Sequence, residues 1–326
     1  MPLRLLASPD LKMCDVKYDH PLLQLTEKQV RAVRDYGGLD LDRLKEGVQT
    51  VLDWCSKEEH LQAAVPYLAK TIMVERMLLL SKGSVEICKK RIDHVLTARG
   101  LIPELALNRK PEEFKEILNC VNYVALPKVH PVDNSRVLIC KFKEDLENFT
   151  LLRYFRYAFY LGEYRLYDDY GIAERYVVDM KNLNLGILAK INPVVLKKAE
   201  ILSTEGYGTK IKGIHLLNAP SFVDKFVFLL KQGMKQKVAE RIHVHSTYED
   251  FHEHVPKEIL PKDYGGDAPS VEKLDAAWTD LLRSEEAQRM IKDLDKIVSD
   301  ESRRTSSKFN EEYLGMPGSF RKLDVD

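Results

Sequence analysis

The spacing of hydrophobic residues first predicts a helical region. From residue 41 to residue 55, apolar side chains recur every three or four residues, the spacing of one buried helix face: Leu41, Leu44, Val48, Leu52 and Cys55. Residues 26–29 have the Thr-x-x-Gln form of a capping box, which satisfies free backbone N–H groups at a helix start. Residues 67–80 continue the helical pattern. We therefore predict an all-helical domain over residues 1–105.

The pattern changes in the middle of the chain, where short apolar runs are bounded by turn residues. Such runs are typical of strands buried on both faces, and four are predicted: 136–142, 175–180, 211–218 and 241–245. The stretches between them, including 149–167 and 193–203, have helical spacing. Alternating strands and helices predict an α/β domain with a mostly parallel sheet, which we assign to residues 106–269.

The last part of the chain, residues 270–326, is rich in charge. We predict one helix from 271 to 298 and, from Asp300 onward, a solvated and flexible tail. No internal repeat is found.

Composition narrows the classes of protein that fit this pattern. Fifty basic and 50 acidic residues give a formal net charge of zero, which argues against a surface built to bind nucleic acid. No apolar run has the length of a secretory core or a membrane span, so a cytoplasmic protein is expected. The five cysteines form no Cys-x-x-Cys pair, which indicates reduced packing residues.

Four successive segments carry a family resemblance. They are VVDM at 177–180, KIKGIHLLNAP at 210–220, VAERIHVH at 238–245 and ILPKDYGG at 259–266. In this order they resemble the CRAL-TRIO (Sec14-like) lipid-transfer family, particularly its tocopherol-transfer and retinaldehyde-binding branch. The ending GMPGSFRKL at 315–323 resembles tails of invertebrate members.

The resemblance implies an N-terminal helical domain followed by a lipid-binding α/β domain with a gating helix. It implies an intracellular carrier, not an enzyme and without a cofactor, that encloses one hydrophobic ligand such as a tocopherol, retinoid, carotenoid or similar isoprenoid. The carrier would release this ligand at phosphoinositide-containing membranes, associating with them peripherally and reversibly. We expect a monomer that binds no nucleic acid.

Apolar faces, combined with the family's pocket-lining elements, give a set of expected pocket residues. They are Phe155, Phe159, Val178, Ile191, Leu202, Ile214, Phe222, Phe226 and Leu230. Ala158 and Gly162 stand where tocopherol-binding relatives have serines, so polar pocket contacts are not carried over. The family's arginine-rich segment in the helical domain is absent after Arg76, where Met77 to Ser81 follow.

Residues 221–234 form an amphipathic helix by their spacing. Periodicity alone favours a helix packed in the core. In the resembling family this helix is a mobile gate over the pocket, so Phe222, Phe226 and Leu229 are expected to meet ligand and membrane.

Residues 210–241 carry seven cations and two anions, although the whole chain has a net charge of zero. A charge run is usually a solvated face, but basic residues beside an apolar gate also suit binding to anionic headgroups. Four of the cations stand where the branch contacts phosphoinositides: Lys210, Lys212, Lys237 and Arg241.

Histidine is a common metal ligand, and four histidines lie close together in the sequence: His243, His245, His252 and His254. Strand alternation places the first two on one face of a strand. The pattern is ordinary for the family and lacks a catalytic zinc motif, so structural histidines and no metal are expected. No nucleophile elbow is present.

The alternative function is a regulatory or scaffolding module that binds phosphoinositides without transferring a ligand. A hydrolase or isomerase of lipids has no support in the sequence.

Overall fold

The computed structural model describes residue 16 and residues 18–304. Seven α-helices precede the first strand in this part of the chain: α1 (Glu27–Gly37), α2 (Leu41–Cys55), α3 (Val65–Leu68), α4 (Met73–Leu80), α5 (Val85–Leu101), α6 (Pro103–Ala106) and α7 (Lys115–Cys120). The capping box is confirmed, because the Gln29 backbone N–H donates to the Thr26 hydroxyl at 3.2 Å and the Thr26 N–H to the Gln29 side chain at 2.9 Å.

The helical pattern over residues 67–80 does not form one helix, since α3 and α4 are separated. Thr71 lies in the break, where its hydroxyl donates to the Leu68 carbonyl at 2.8 Å and accepts from the Met73 N–H at 3.2 Å. A short polar side chain that bonds to nearby backbone competes with the helical hydrogen bonds, which accounts for the interruption.

Five strands form one sheet: β1 (Val121–Ala125), β2 (Ser135–Phe142), β3 (Ala173–Asp179), β4 (Lys210–Leu217) and β5 (Ile242–Val244). They lie in the order β1-β2-β3-β4-β5, with β1 antiparallel to β2 and the other pairs parallel. The mostly parallel α/β sheet and its four predicted strands are confirmed. Strand β1 was not predicted; it follows α7 directly, with no turn residue between them.

Five helices connect or follow the strands before residue 260: α8 (Leu151–Tyr164), α9 (Pro193–Ile201), α10 (Val223–Gln232), α11 (Gln236–Ala239) and α12 (Tyr248–His252). A π-helical turn, Leu202–Gly206, extends α9. Before α9, a 3-10 helix spans Leu185–Lys190.

The single helix predicted over 271–298 is two helices, α13 (Val271–Arg283) and α14 (Glu285–Leu294). Ser284 has an extended backbone between them, and its hydroxyl accepts from the Ala287 N–H at 3.2 Å, so it caps α14. On α13, the buried Trp278 donates to the Ala125 carbonyl at 2.9 Å and joins the helix to β1.

The expectation of a solvated tail from Asp300 is wrong for its first residues. Arg304 pairs with Asp93 of α5 at 2.6 Å and with Glu301 at 2.8 Å, so residues 300–304 pack on the helical region. The rest of that tail, including 315–323, lies outside the described residues.

The hydrophobic core is continuous through the three predicted regions. Four cysteines belong to it as free buried thiols, Cys55, Cys88, Cys120 and Cys140, and Cys14 lies outside the described residues. No helix in the described part of the chain has both the length and the apolar composition needed to span a bilayer.

Candidate functional site

One face of the sheet borders a cavity of about 190 Å³. Side chains of a strand alternate between the faces, so every second residue faces the cavity: Leu138, Cys140 and Phe142 on β2, and Glu174, Tyr176 and Val178 on β3. Helices α8 to α11 complete the wall.

Helix α8 faces the cavity with residues at helical spacing. Phe155 and Phe159 line it together with the small residues Ala158 and Gly162. A Cβ built on Gly162 would have no heavy atom within 4 Å, so the space beside this glycine is open.

Seven of the nine expected pocket residues line this cavity: Phe155, Phe159, Val178, Ile191, Ile214, Phe226 and Leu230. The other two do not. Leu202 begins the π-helical turn that packs on α5 and is fully buried there, near Gly206 and Ala98. Phe222 precedes α10, one turn before Phe226, and is only partly buried outside the cavity wall.

The sequence interpretation missed five charged residues of the wall: Arg76, Glu163, Arg165, Glu174 and Glu200. Two of them could have been predicted from the sequence. Glu174 shares a strand face with Val178, and Arg165 lies three residues after Gly162 on the same helical path. Arg76 has no such signal, because it comes from α4 of the helical region.

An ion-pair network lies where the cavity meets the start of β2 and β3. Arg165 pairs with Glu174 at 2.9 Å and with Asp169 at 2.7 Å, and Asp169 also pairs with Arg136 at 2.7 Å. Burial would raise the pKa of Asp169, but attraction to Arg136 and Arg165 lowers it far below its usual range. This carboxylate is therefore charged at neutral pH.

Two side chains beside this network, Tyr176 and Arg76, differ in their hydrogen bonding. Tyr176 donates its hydroxyl to Glu174, and burial together with Glu174 raises its pKa well above the usual value, so the proton stays on the phenol. The Nε of Arg76 has no hydrogen-bond partner among the described residues, although the side chain is buried.

Helix α10 covers the cavity with Phe226 and Leu230, which are both buried. Leu229, the third residue expected on the gate with Phe222 and Phe226, is partly buried and lies outside the cavity wall. Phe228, which the sequence interpretation did not single out, is 63% exposed on the outer side of the helix.

The end of α10 approaches α9 closely. A Cβ on Gly233, just after α10, would come within 2.6 Å of Leu196 on α9. Beside Phe228, the elements packed against α10 carry two further exposed apolar residues, Val194 on α9 and Leu185 on the 3-10 helix. The outer side of α10 and the two neighbouring elements thus expose three large apolar side chains, Phe228, Val194 and Leu185.

The four expected phosphoinositide residues lie at the starts of β4 and β5. Lys210 donates to the Tyr36 hydroxyl and lies 4.4 Å from the centre of that ring, and this contact lowers the pKa of Tyr36. Lys212 is the extra residue of a β-bulge between β3 and β4. It is exposed and lies 3.9 Å from Asp133.

The other two cations flank the same strand starts. Arg241 directly precedes β5 and donates to the Ile211 carbonyl of β4, so part of its donor capacity is used within the fold. Lys237 lies one turn earlier on α11 and is exposed. Lys212 and Lys237 are therefore the two cations most accessible to a headgroup.

Opposite the cavity, the sheet carries a cluster of imidazoles. The ring centres of His215, His243, His245 and His254 lie 5.0 to 6.3 Å apart. His245 Nδ1 lies 2.8 Å from Asp250, and its Nε2 lies 2.9 Å from His215 Nδ1. Because a carboxylate only accepts, His245 donates to Asp250 and accepts from His215.

Part of this cluster also has the spacing of a possible metal site. The ligand atoms of His245, Asp250 and His254 lie within 4.8 Å of one another, a spacing that allows a cation. Both ring nitrogens of His245 already make hydrogen bonds, however, and His252 is separate, bonded to the Tyr264 carbonyl at 2.9 Å. The hydrogen bonds favour the structural role expected from the sequence.

Comparisons with known proteins identify relatives of this chain. The chain is 25% identical over 250 residues to an alpha-tocopherol transfer protein-like protein of Mus musculus, which covers 75% of this chain and 70% of that protein. It is 28% identical over 188 residues to the protein of the same name from Homo sapiens, covering 56% of this chain and 54% of the human protein. That match spans about half of the human relative.

Two further comparisons concern the fold. The crystal structure of Sfh5 aligns over 77% of this chain and 92% of that chain, with a TM-score of 0.46 and 13% sequence identity. A model of the CRAL/TRIO domain matches residues 131–266, which include β2 to β5, helices α8 to α11 around the cavity and α12 on the opposite face of the sheet. Residues 131–266 therefore match the CRAL/TRIO domain, a lipid-binding and lipid-transfer domain, and the chain is similar to alpha-tocopherol transfer protein-like proteins.

Proposed function

We propose that this protein is a carrier that binds one hydrophobic ligand in its cavity and transfers it at phosphoinositide-containing membranes. The observation that supports this most is the cavity itself, which lies between the sheet and α8 and is lined mainly by apolar and aromatic side chains. Transfer of a ligand from water into such a site is favourable by about 25 cal/mol per Å² of apolar surface. No catalytic group is needed for this function.

Helix α10 is the proposed gate. A ligand enclosed beneath Phe226 and Leu230 leaves only if this helix moves, and the movement exposes both side chains. A membrane interface offsets that loss of burial because it accepts apolar side chains. Phe228, already on the outer surface, would be the first residue of α10 to enter the interface.

The basic residues at the starts of β4 and β5 are the proposed membrane anchor. Anionic headgroups attract each nearby Lys or Arg by about 1 kcal/mol, and the attraction is reversible. Lys212 and Lys237 have exposed side chains for this purpose, while Lys210 and Arg241 are held by contacts to Tyr36 and Ile211.

The carrier function is tested by analysing the ligand that purifies with the protein. Native mass spectrometry before and after organic extraction should reveal one bound apolar molecule per chain. Gly162→Phe places a ring in the open space beside α8 and should abolish this mass difference, whereas Gly162→Ala should retain it. Absence of any extractable ligand and of uptake from vesicles would contradict the carrier function and favour the regulatory alternative.

The membrane step is tested with phosphatidylcholine vesicles that contain or lack a few per cent of phosphatidylinositol bisphosphate. Lys212→Glu with Lys237→Glu should weaken binding to the phosphoinositide vesicles by about tenfold or more, with a larger effect at low salt. The matched control is Lys28→Glu with Lys45→Glu, which changes the net charge equally on exposed positions of the helical region. Equal loss in both double variants would remove the basic residues from the mechanism.

The gate is tested by ligand transfer to acceptor vesicles. Phe228→Ser should slow membrane-stimulated transfer and leave spontaneous release into buffer unchanged, because Phe228 is outside the cavity wall. Ile87→Ser, an equally polar change at an exposed position of α5, serves as the control. If both variants transfer ligand at the rate of the parent protein, α10 does not enter the interface.

A further inference from the structure

Two buried arginines of the cavity wall retain unsatisfied N–H groups. Arg76 is 7% exposed and Arg165 is 1% exposed, and both line the cavity. Nε of Arg76 and Nη2 of Arg165 have no hydrogen-bond partner among the described residues. A guanidinium keeps its charge in a protein, and a buried charged donor without a partner is strongly unfavourable.

The charges around these groups do not balance. Arg136 and Arg165 share Asp169, and Arg165 also pairs with Glu174. Within the described residues, no carboxylate forms an ion pair with Arg76. The network of three arginines and two carboxylates therefore has one positive charge in excess.

The other acidic groups near this end of the cavity already have partners. Glu163 pairs with Arg99 and Arg109. Glu75, next to Arg76, accepts from the hydroxyl of Tyr170. Glu163 cannot compensate Arg76 without losing its two ion pairs, and Glu75 forms no ion pair with Arg76 within the described residues.

The excess charge lies at one end of an elongated cavity. Glu174 pairs in register with Arg136 near the start of β2, whereas Phe142 lines the cavity at the end of the same strand. Six residues of strand separate these two levels, which is about 20 Å. The site therefore has one cationic end, while the apolar side chains of Phe142 and Phe149 line the other end.

We propose that the natural ligand is an amphiphile with a single anionic end, a long-chain or isoprenoid carboxylate, whose carboxylate binds Arg76 and the free N–H of Arg165. A monocarboxylate carries one negative charge, which equals the excess of the network; a phosphate monoester carries more and leaves the site negative. This inference rests on the carrier function proposed above and names the class of its ligand.

The test compares two fluorescent probes that differ only at the polar end, cis-parinaric acid and its methyl ester, in titrations of delipidated protein. The parent protein should bind the acid at least about tenfold more tightly than the ester, the loss expected for a charge-assisted hydrogen bond. Arg76→Met should abolish this preference while the ester binds as before. Arg156→Met, on α8 but outside the cavity wall, should keep the preference.

Thermal unfolding of the ligand-free protein gives an independent readout. Because Arg76 is buried without an ion pair, Arg76→Met should raise the midpoint of unfolding, whereas removal of a merely structural arginine would lower it. Equal affinity of the parent protein for acid and ester, or a preference that survives Arg76→Met, would overturn the carboxylate site. If neither probe binds, the carrier function itself fails, and this inference fails with it.

Discussion

The two faces of the central sheet are built from the same strands but packed in opposite ways. On one face Val178 and Ile214 border a cavity of about 190 Å³. On the other face His215 makes stacked and hydrogen-bonded contacts with neighbouring imidazoles, and Phe251 of α12 packs against it.

The difference arises from the helices that cover each face. Helix α8 presents Ala158 and Gly162 to its side of the sheet, so the two layers do not fill the space between them. Helix α12 presents a large aromatic ring to the opposite side. One face can therefore adapt to a ligand because the other holds the strands in place by close packing.

The largest difference in unfolding free energy should appear when a phenylalanine side chain is removed from each face. Phe251 is fully buried, with its ring centre 5.5 Å from that of His245, so Phe251→Ala should cost about 3–5 kcal/mol of unfolding free energy. Phe155 borders the cavity and is only partly buried, so Phe155→Ala should cost less than half as much in ligand-free protein. Urea unfolding measures both; equal losses would mean that the cavity face is as tightly packed as the other.

Acidification should weaken the histidine face and spare the cavity face. Burial, followed by the charges of His245 and His243, lowers the pKa of His215 from 6.5 to about 2. Below pH 6.5 the unfolded chain therefore binds a proton that the folded protein excludes, and stability falls as pH falls. Between pH 7 and pH 5 the expected loss of unfolding free energy is about 2 kcal/mol. Above pH 7 His215 does not contribute to the pH dependence of stability.

Unfolding in urea at pH 7, 6 and 5 measures this loss. The pKa of His243 is also lowered, mainly by burial, so it adds to the slope in the same direction, whereas the lowered pKa of Asp169 acts only at more acidic pH. His215→Leu should flatten the dependence, whatever its effect at pH 7. A parent protein equally stable at pH 7 and pH 5 would show that the cluster accepts protons in the folded state.

The sequence predicted the sheet better than the chemistry of its faces. Runs buried on both sides identify β2 to β5, and the spacing of α8 places Phe155 and Phe159 in the wall. The break at Ser284 was readable as a serine followed by two acidic residues, a helix start. The proximity of Arg76 to Arg165 could not be predicted from the sequence. It depends on how α4 packs against a segment about ninety residues later in the chain.

The histidine cluster shows the same limit. Strand alternation placed His243 and His245 on one face, but His215 joins them only through the register of β4 with β5. Gly213 makes room for that ring, since a Cβ there would come within 2.5 Å of His215 Nε2. Pairing between strands determines these contacts, and local pattern carries no information on it.

The smallest expected change in stability concerns two helical glycines, Gly162 and Gly47, that differ in the space around them. Replacing a glycine by alanine within a helix gains up to about 1 kcal/mol from helix propensity. At Gly162 of α8 a Cβ would meet no heavy atom within 4 Å, so Gly162→Ala should realise this gain in full. At Gly47 of α2 a Cβ would lie 2.5 Å from a Leu78 methyl, so Gly47→Ala should lose the gain to the clash. Urea unfolding of the two ligand-free variants measures the difference; if Gly162→Ala is no more stable than Gly47→Ala, the open space beside α8 does not exist in solution, and the cavity face is closed in the absence of ligand.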